Sequence, residues 1–163
     1  MELKSKSIIV TGASSGIGAA AALLFAAEGA NVVLGARRSA KLETLAGQIN
    51  QSDGRAVFLA GDVKDEDYAD ALVGLAMNEF GGLDGAFNNA GTVGETGPVA
   101  DMEIGNWNDV ISVNLTSAFL PQRPRYRPSR HEGRVRLSSR LPSLVSAMEE
   151  CREWRPMQRP KPG

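Results

Sequence analysis

The chain has 163 residues, 42% of them hydrophobic, and a formal net charge of -1, which suits one domain with one core and is too short for two ordinary domains. A single cysteine and a single histidine exclude an internal disulfide framework and argue against a Cys/His metal site. No apolar run approaches the about 20 residues of a membrane span, and the first ten residues do not form a signal peptide. We therefore expect a cytoplasmic protein with no metal and no membrane partner.

Charge is distributed very unevenly along the chain. Residues 1–120 carry 7 Lys and Arg against 15 Asp and Glu, a net charge of -8, whereas residues 121–163 carry 11 against 4, a net charge of +7. Seven of the eight prolines also lie in the second segment. This change of composition predicts an ordered domain over 1–120 and a disordered basic tail, rich in proline and arginine, over 121–163.

Short β-branched runs alternate with helical patterns through the first 120 residues. The predicted strands are 7–10, 31–36, 56–60 and 83–87, and the predicted helices are 16–28, 39–50, 65–80 and 104–120. Such alternation predicts an α/β fold, with a doubly wound parallel sheet covered on both faces. The alternation stops at Pro121 and no strand is predicted before Leu144, so we expect a sheet truncated after about four strands.

A glycine-rich turn joins the first strand to the first helix. Backbone amides at such a helix start bind phosphate, and glycines let the backbone approach it closely. The predicted cofactor-binding residues of this turn are Gly12, Ser14, Ser15, Gly16, Ile17 and Gly18. The alternative is a tight turn that holds no ligand.

Two arginines follow the second strand, where a dinucleotide fold contacts the adenosine ribose. Arg37 and Arg38 stand where a carboxylate would bond a ribose 2′-hydroxyl. A guanidinium instead suits a 2′-phosphate, which favours NADP over NAD. Alternatively, one or both arginines only solvate the start of the next helix.

The turn sequence Thr-Gly-Ala-Ser-Ser-Gly-Ile-Gly resembles the T-G-x-x-x-G-x-G motif of the short-chain dehydrogenase/reductase family. The resemblance covers about 120 of the 163 residues and implies a Rossmann-type fold. It also implies that Asp62 accepts a hydrogen bond from the adenine amine and that Val63 packs on the adenine ring. A capping role for Asp62 at the following helix is equally open.

Two further segments match the family pattern. The string N-N-A-G resembles a family motif that supports the sheet and lines the cofactor site, which assigns Asn89, Ala90 and Gly91 to cofactor binding. Asn114 matches a helical asparagine whose backbone holds a water of the proton relay, and it is the one catalytic residue that the resemblance assigns. Without the resemblance, N-N-A-G would be interpreted as an ordinary turn and Asn114 as a polar surface residue.

The resemblance implies an oxidoreductase that transfers hydride between NADP and an alcohol or carbonyl substrate. Members use a Ser, then a Tyr with a Lys four residues after it. Here Arg130 stands four residues after Tyr126, Pro128 lies between them, and Ser138 and Ser139 follow the tyrosine instead of preceding it. We therefore expect this chain to be truncated and inactive, and a noncatalytic NADP-binding module is the alternative.

A shifted reading frame offers one explanation of the tail. Residues 153–163 can be encoded so that an adjacent frame reads Met-Ala-Ala-Tyr-Ala-Ala-Ser-Lys-Ala-Gly, which resembles the family's Tyr-x-x-x-Lys segment. The hypothesis is therefore an out-of-frame translation beginning near residue 120, which sequencing of the coding DNA tests.

The sequence does not identify the substrate, and the homo-oligomer usual in the family is doubtful here. Nucleic-acid binding by the basic tail is disfavoured because the tail has few aromatic residues for base stacking.

Overall fold

The computed structural model describes residues 1–120 and 136–139. Its strands are β1 Ser7–Thr11, β2 Asn31–Ala36, β3 Arg55–Ala60, β4 Gly85–Asn88 and β5 Arg136–Ser139. Its first three helices are α1 Gly16–Ala27, α2 Ser39–Gln51 and α3 Glu66–Phe80. A 3₁₀ turn, Val99–Asp101, precedes a helical stretch made of α4 Ile104–Ile111, the π-helical turn Ser112–Thr116 and α5 Ser117–Phe119. The predicted helix over 104–120 is therefore helical throughout but not uniformly α.

The strands form one parallel sheet in the order β3-β2-β1-β4-β5. The chain moves outward from β1 to β3 and then crosses back to place β4 on the other side of β1. Strand order thus reverses between β1 and β4, and in open parallel sheets the crevice at such a reversal is where ligands bind. The predicted α/β, Rossmann-type fold is confirmed.

A short fifth strand, β5, adds to the four strands that the sequence predicts. Residues 136–139 pair with β4 in parallel register, with Gly85 opposite Arg136 and Asn88 opposite Ser139. The sequence does not predict this strand because the run R-L-S-S has no apolar pattern of its own. The unpaired backbone groups of β4 provide the pairing instead. Apart from residues 136–139, the tail that the sequence predicts to be disordered lies outside the described residues, as do Tyr126, Arg130 and segment 153–163.

Two apolar clusters cover the two faces of the sheet. Alternate residues of a strand point to opposite faces, so Val32 and Leu34 pack towards α1 and α2, whereas Val33 packs towards α3. The first cluster includes Leu42 and Ile49 of α2. Both faces of β1 and β2 are therefore covered, as the continuous apolar runs of the sequence predict.

The helical stretch that begins at Ile104 contributes little to this core. None of the residues of α4 is buried, and Ile104, Trp107 and Leu115 are 71%, 55% and 53% exposed. This helical stretch therefore exposes apolar surface. None of the described helices is both long and apolar enough to span a bilayer.

Candidate functional site

A cleft of about 390 Å³ opens where the sheet reverses direction, at the carboxyl ends of β1 to β4. Its lining includes ten of the predicted cofactor-binding residues: Gly12, Ser14, Ser15, Arg37, Arg38, Asp62, Val63, Asn89, Ala90 and Gly91. Gly16, Ile17 and Gly18 do not line the cleft and form the start of α1. In residues 1–120 and 136–139 no group of His, Cys, Asp and Glu is placed to hold a metal ion.

Two glycines of the turn are required by close backbone contacts. A Cβ atom on Gly12, whose φ is +66°, would lie 2.9 Å from the Cα of Ala90. A Cβ atom on Gly18 would meet the carbonyl oxygen of Gly12 and would lie 2.6 Å from the side-chain nitrogen of Asn89. Gly18 therefore lets α1 pack against the turn, so that the amino end of the helix faces the cleft.

The amino end of α1 has no side-chain cap. Ser15 occupies the N-cap position in extended conformation, but its hydroxyl caps no backbone amide of the helix. The first amides of a helix lack intrahelical acceptors, and this end of the helix also carries partial positive charge. The turn is therefore suited to bind an anionic group such as a pyrophosphate.

Arg38 crosses from the end of β2 to the glycine-rich turn. Its guanidinium donates to the hydroxyl of Ser14 from Nε at 3.2 Å and from Nη2 at 2.8 Å, and Nη2 also donates to the hydroxyl of Ser15 at 2.7 Å. Although Arg38 is the N-cap residue of α2, its side chain makes no capping hydrogen bond there. Its charge is thus held beside the cleft. Arg37 lines the same cleft.

Asp62 faces the cleft and does not cap a helix. The N-cap of α3 is Asp65, whose side chain accepts from the backbone amide of Asp67. Asp62 accepts from the backbone amide of Lys64 through Oδ1 at 3.0 Å. Of the two alternatives that the sequence leaves open, the structure therefore favours a position in the site, next to Val63.

Sequence analysis missed a charged pair on the far side of the cleft. The ammonium of Lys64 lies 2.7 Å from Oδ1 of Asp109 on α4, and both residues line the cleft. The hydrogen bond and charge of Asp109 raise the pKa of Lys64 above its usual value, and the charge of Asp62 adds to this effect. No local signal could have revealed the pair, because 45 residues separate the partners.

The motif around Asn89 ties β4 to β1. The hydroxyl of Thr11 accepts from the backbone amides of Asn89 at 3.1 Å and Ala90 at 3.2 Å, and the side-chain amide of Asn89 donates to the carbonyl oxygens of Thr11 and Gly12. The motif therefore shapes the cleft, and Thr11 is a third residue that the predicted site omitted, after Lys64 and Asp109. Within the described chain the buried amide nitrogen of Asn88 has no hydrogen-bond partner.

Asn114 is not a free polar surface residue. Its side-chain oxygen accepts from the backbone amide of Thr92, and its side-chain nitrogen donates to the carbonyl oxygen of Thr92, both at 2.8 Å. It lies within the π-helical turn, a local widening that often marks functional sites. The cleft reaches the neighbouring residue, Val113, but not Asn114 itself.

A buried tyrosine lies beneath the loop that carries Asp62. The hydroxyl of Tyr68 donates to the carbonyl oxygen of Leu59 at 2.8 Å, and burial raises the pKa of Tyr68 to about 12. A Cβ atom on Gly61 would collide with the tyrosine ring. Gly61 therefore lets the loop after β3 lie directly on this ring.

The sequence of this chain is similar to a known family and to known proteins. The family model described as short chain dehydrogenase matches residues 6–139. An uncharacterized oxidoreductase of Listeria innocua is 42% identical over 115 residues, which cover 71% of this chain and 46% of the relative. A 3beta-hydroxysteroid dehydrogenase of Mediterraneibacter gnavus is 39% identical over 114 residues, covering 70% of this chain and 41% of the relative.

Two solved structures have the same fold. A citronellol catabolism dehydrogenase of Pseudomonas aeruginosa is 36% identical with a TM-score of 0.68, and the match covers 75% of this chain and 49% of that one. A short-chain type dehydrogenase/reductase of Mycobacterium marinum is 33% identical with a TM-score of 0.69, covering 74% and 49%. The chain thus spans about half the length of the relatives it matches. By its sequence match and its fold, this chain belongs to the short-chain dehydrogenase/reductase family of oxidoreductases.

Proposed function

We propose that this chain binds NADP(H) and forms the cofactor-binding part of an oxidoreductase that acts on an alcohol or carbonyl substrate. The observation that carries the proposal is the position of Arg38, whose guanidinium is fixed at the rim of the cleft by Ser14 and Ser15. The N–H groups of Nη1 are not used in these bonds and can donate to phosphate oxygens, and the guanidinium charge attracts the phosphate. The ribose 2′-phosphate distinguishes NADP from NAD, so this position favours NADP.

The residues present fit a dinucleotide along the whole cleft. Gly12 and Gly18 let the turn pack against Ala90 and Asn89 where a Cβ atom would clash, and the uncapped start of α1 supplies amide donors for the pyrophosphate. Beyond β3, Asp62 offers a carboxylate for the adenine amine and Val63 an apolar contact for the ring. The chain's own contribution is to bind and orient the cofactor, which when bound would donate hydride in its reduced form or accept it in its oxidised form.

Two of the relatives named above support an alcohol or carbonyl substrate. One is a 3beta-hydroxysteroid dehydrogenase and the other a citronellol catabolism dehydrogenase. We propose the same broad chemistry, hydride transfer to or from a carbon that bears oxygen. Asn114 would act in it by holding the loop at Thr92 and the helix together beside the cleft.

The second candidate is a noncatalytic NADP-binding module. It is favoured by the spacing after Asn114, where Arg130 and not a lysine follows Tyr126 by four residues. Lysine lowers the pKa of a catalytic tyrosine, so Tyr126 and Arg130 do not form the usual acid-base pair. Under this candidate the purified chain binds NADP(H) with no turnover of any alcohol or carbonyl.

Calorimetric titration tests the proposal. We expect the full chain to bind NADP(H) more tightly than NAD(H), and Arg38→Ala to weaken NADP(H) binding by about tenfold or more while changing NAD(H) affinity much less. Lys41→Ala, which removes an exposed cation of α2 that does not line the cleft, is the matched control. Equal affinity of the wild type for the two cofactors would contradict the assignment of NADP. Turnover of alcohols with NADP then separates the two candidates.

A further inference from the structure

Three charged side chains meet at the end of the cleft beyond β3. The ammonium of Lys64 lies between two carboxylates, at 2.7 Å from Oδ1 of Asp109 and 3.9 Å from Oδ2 of Asp62. All three residues line the cleft. The ammonium is therefore hydrogen-bonded to Asp109, whereas 3.9 Å is too long for a hydrogen bond to Asp62.

The two oxygens of Asp62 differ in what they contact. Oδ1 accepts from the backbone amide of Lys64, which fixes the orientation of the carboxylate. Oδ2 has the Lys64 ammonium nearby but beyond bonding distance. Oδ2 is thus the oxygen left to accept a hydrogen bond from a ligand in the cleft.

We infer that Asp109 is a positioning residue for base recognition, which holds Lys64 away from Oδ2 of Asp62 so that this oxygen accepts from the exocyclic amine of adenine. The inference rests on the proposed function, in which Asp62 faces the adenine. Nothing in α4 itself touches the base in this account. Asp109 acts only through Lys64.

Removal of Asp109 changes the chemistry that the site presents. Without its acceptor at 2.7 Å, the Lys64 ammonium is drawn to the next nearest carboxylate, Asp62. The ammonium then covers Oδ2 and presents a donor where adenine also presents a donor. Hypoxanthine has a carbonyl oxygen at that position of the ring, and an oxygen accepts from an ammonium. Loss of Asp109 should therefore reduce the preference for adenine over hypoxanthine.

The pair is suited to a role in specificity because it contributes little to folding. The side chains of Lys64 and Asp109 are 40% and 50% exposed, and exposed ion pairs add little to stability. Asp109 also lies on the exposed side of α4, where alanine favours the helix. Variants at these positions should therefore fold like the wild type.

The experiment compares NADP⁺ with its hypoxanthine analogue, in which a carbonyl oxygen replaces the adenine amine, by calorimetry on the full chain. We expect the wild type to prefer NADP⁺, and Asp109→Ala to reduce the ratio of the two affinities by about tenfold or more, the effect of one hydrogen bond to a charged group. In the double variant Lys64→Met with Asp109→Ala no ammonium can cover Asp62, so the ratio should recover. Asp101→Ala, which removes a carboxylate outside the cleft, is the control and should leave the ratio unchanged.

Each outcome separates the inference from the proposed function. If the folded wild type binds neither dinucleotide, the proposed function and the inference both fail. If the wild type binds NADP⁺ but Asp109→Ala leaves the ratio unchanged, or weakens both ligands equally, the inference alone is overturned. A double variant that keeps the reduced ratio would also overturn it, because the effect would then not pass through Lys64.

Discussion

The side chain of Asn114 forms a two-bond ring with the backbone of Thr92, accepting from its amide and donating to its carbonyl oxygen at 2.8 Å each. This ring joins the helical stretch to the loop that leaves β4. Asn106 repeats the arrangement with the backbone of Glu95, at 2.8 and 3.0 Å. These two rings therefore tie α4 and the π-helical turn to the loop after β4.

Replacing Asn114 should therefore cost stability. Asn114→Ala leaves both backbone groups of Thr92 without their partners in a half-buried position, and we expect a loss of about 1–3 kcal/mol in the free energy of unfolding. Urea denaturation measures it. Asn108→Ala, at an exposed position of α4, is the control and should stay within about 0.5 kcal/mol of the wild type. Equal effects of the two substitutions would contradict the structural role of Asn114.

The same substitution at two helical glycines should have opposite signs. In Gly18→Ala the new methyl group meets the carbonyl oxygen of Gly12 and the amide of Asn89, so we expect a loss of about 1–3 kcal/mol and weaker NADP(H) binding. In Gly47→Ala the methyl group of α2 meets nothing within 4 Å, so the gain in helix propensity should add about 0.5–1 kcal/mol. Thermal melts of both variants give the comparison, and a stabilised Gly18→Ala would refute the packing described for α1.

Tyr68 should make stability depend on alkaline pH. Burial raises its pKa from 10.0 to about 12, so the folded protein favours the neutral phenol, and this contribution is fully present below pH 10. It is lost as the pH rises from about 10 to about 12. In Tyr68→Phe this loss should be absent, although the variant costs about 1 kcal/mol at neutral pH because the carbonyl of Leu59 loses its donor.

The measurement for Tyr68 is urea denaturation of the wild type and of Tyr68→Phe at pH 8 and at pH 11. The difference between the two proteins should shrink or reverse at the higher pH. A difference that does not change with pH would show that the phenol titrates alike in the folded and unfolded chain.

Asp84 should make the stability of the protein depend on pH in the acidic range. Burial raises the pKa of this carboxyl, but the hydrogen bonds from Lys6 at 2.8 Å and from the backbone amide of Ser7 at 2.9 Å outweigh it, so the pKa lies below the usual 3.8. Its contribution is therefore present above about pH 3.8 and is lost as the pH falls through the lower folded-state value.

We expect Asp84→Asn to be destabilised by up to about 1 kcal/mol at pH 7, since the pair with Lys6 is partly exposed. The difference from the wild type should shrink at pH 3. Asp101→Asn, an exposed carboxylate, should show no such change. A pH-independent difference for Asp84→Asn would contradict the lowered pKa.

The sequence predicts most of the fold but only part of the candidate site. The strands around Val10 and Leu34 and the helices between them follow from local patterns of apolar residues, because a period of two or of 3.6 residues already specifies which face is buried. The glycine-rich turn was predictable because glycine is the residue that adopts a positive φ without strain. Gly12 has a φ of +66°, and a Cβ atom there would lie 2.9 Å from the Cα of Ala90. Strand β5 was not predicted because the run R-L-S-S lacks an apolar pattern, and its pairing with β4 is a contact between distant parts of the chain.

By itself, the sequence determined the alternation of strands and helices, the turn at the start of α1 and the absence of a carboxylate beside Arg38. Only the tertiary structure decided that Arg38 turns to Ser14 and Ser15, that Asp62 faces the cleft, and that Lys64 meets Asp109. The physical reason is that burial patterns are local, whereas side-chain contacts between distant elements depend on how the crossovers bring the carboxyl ends of the strands together.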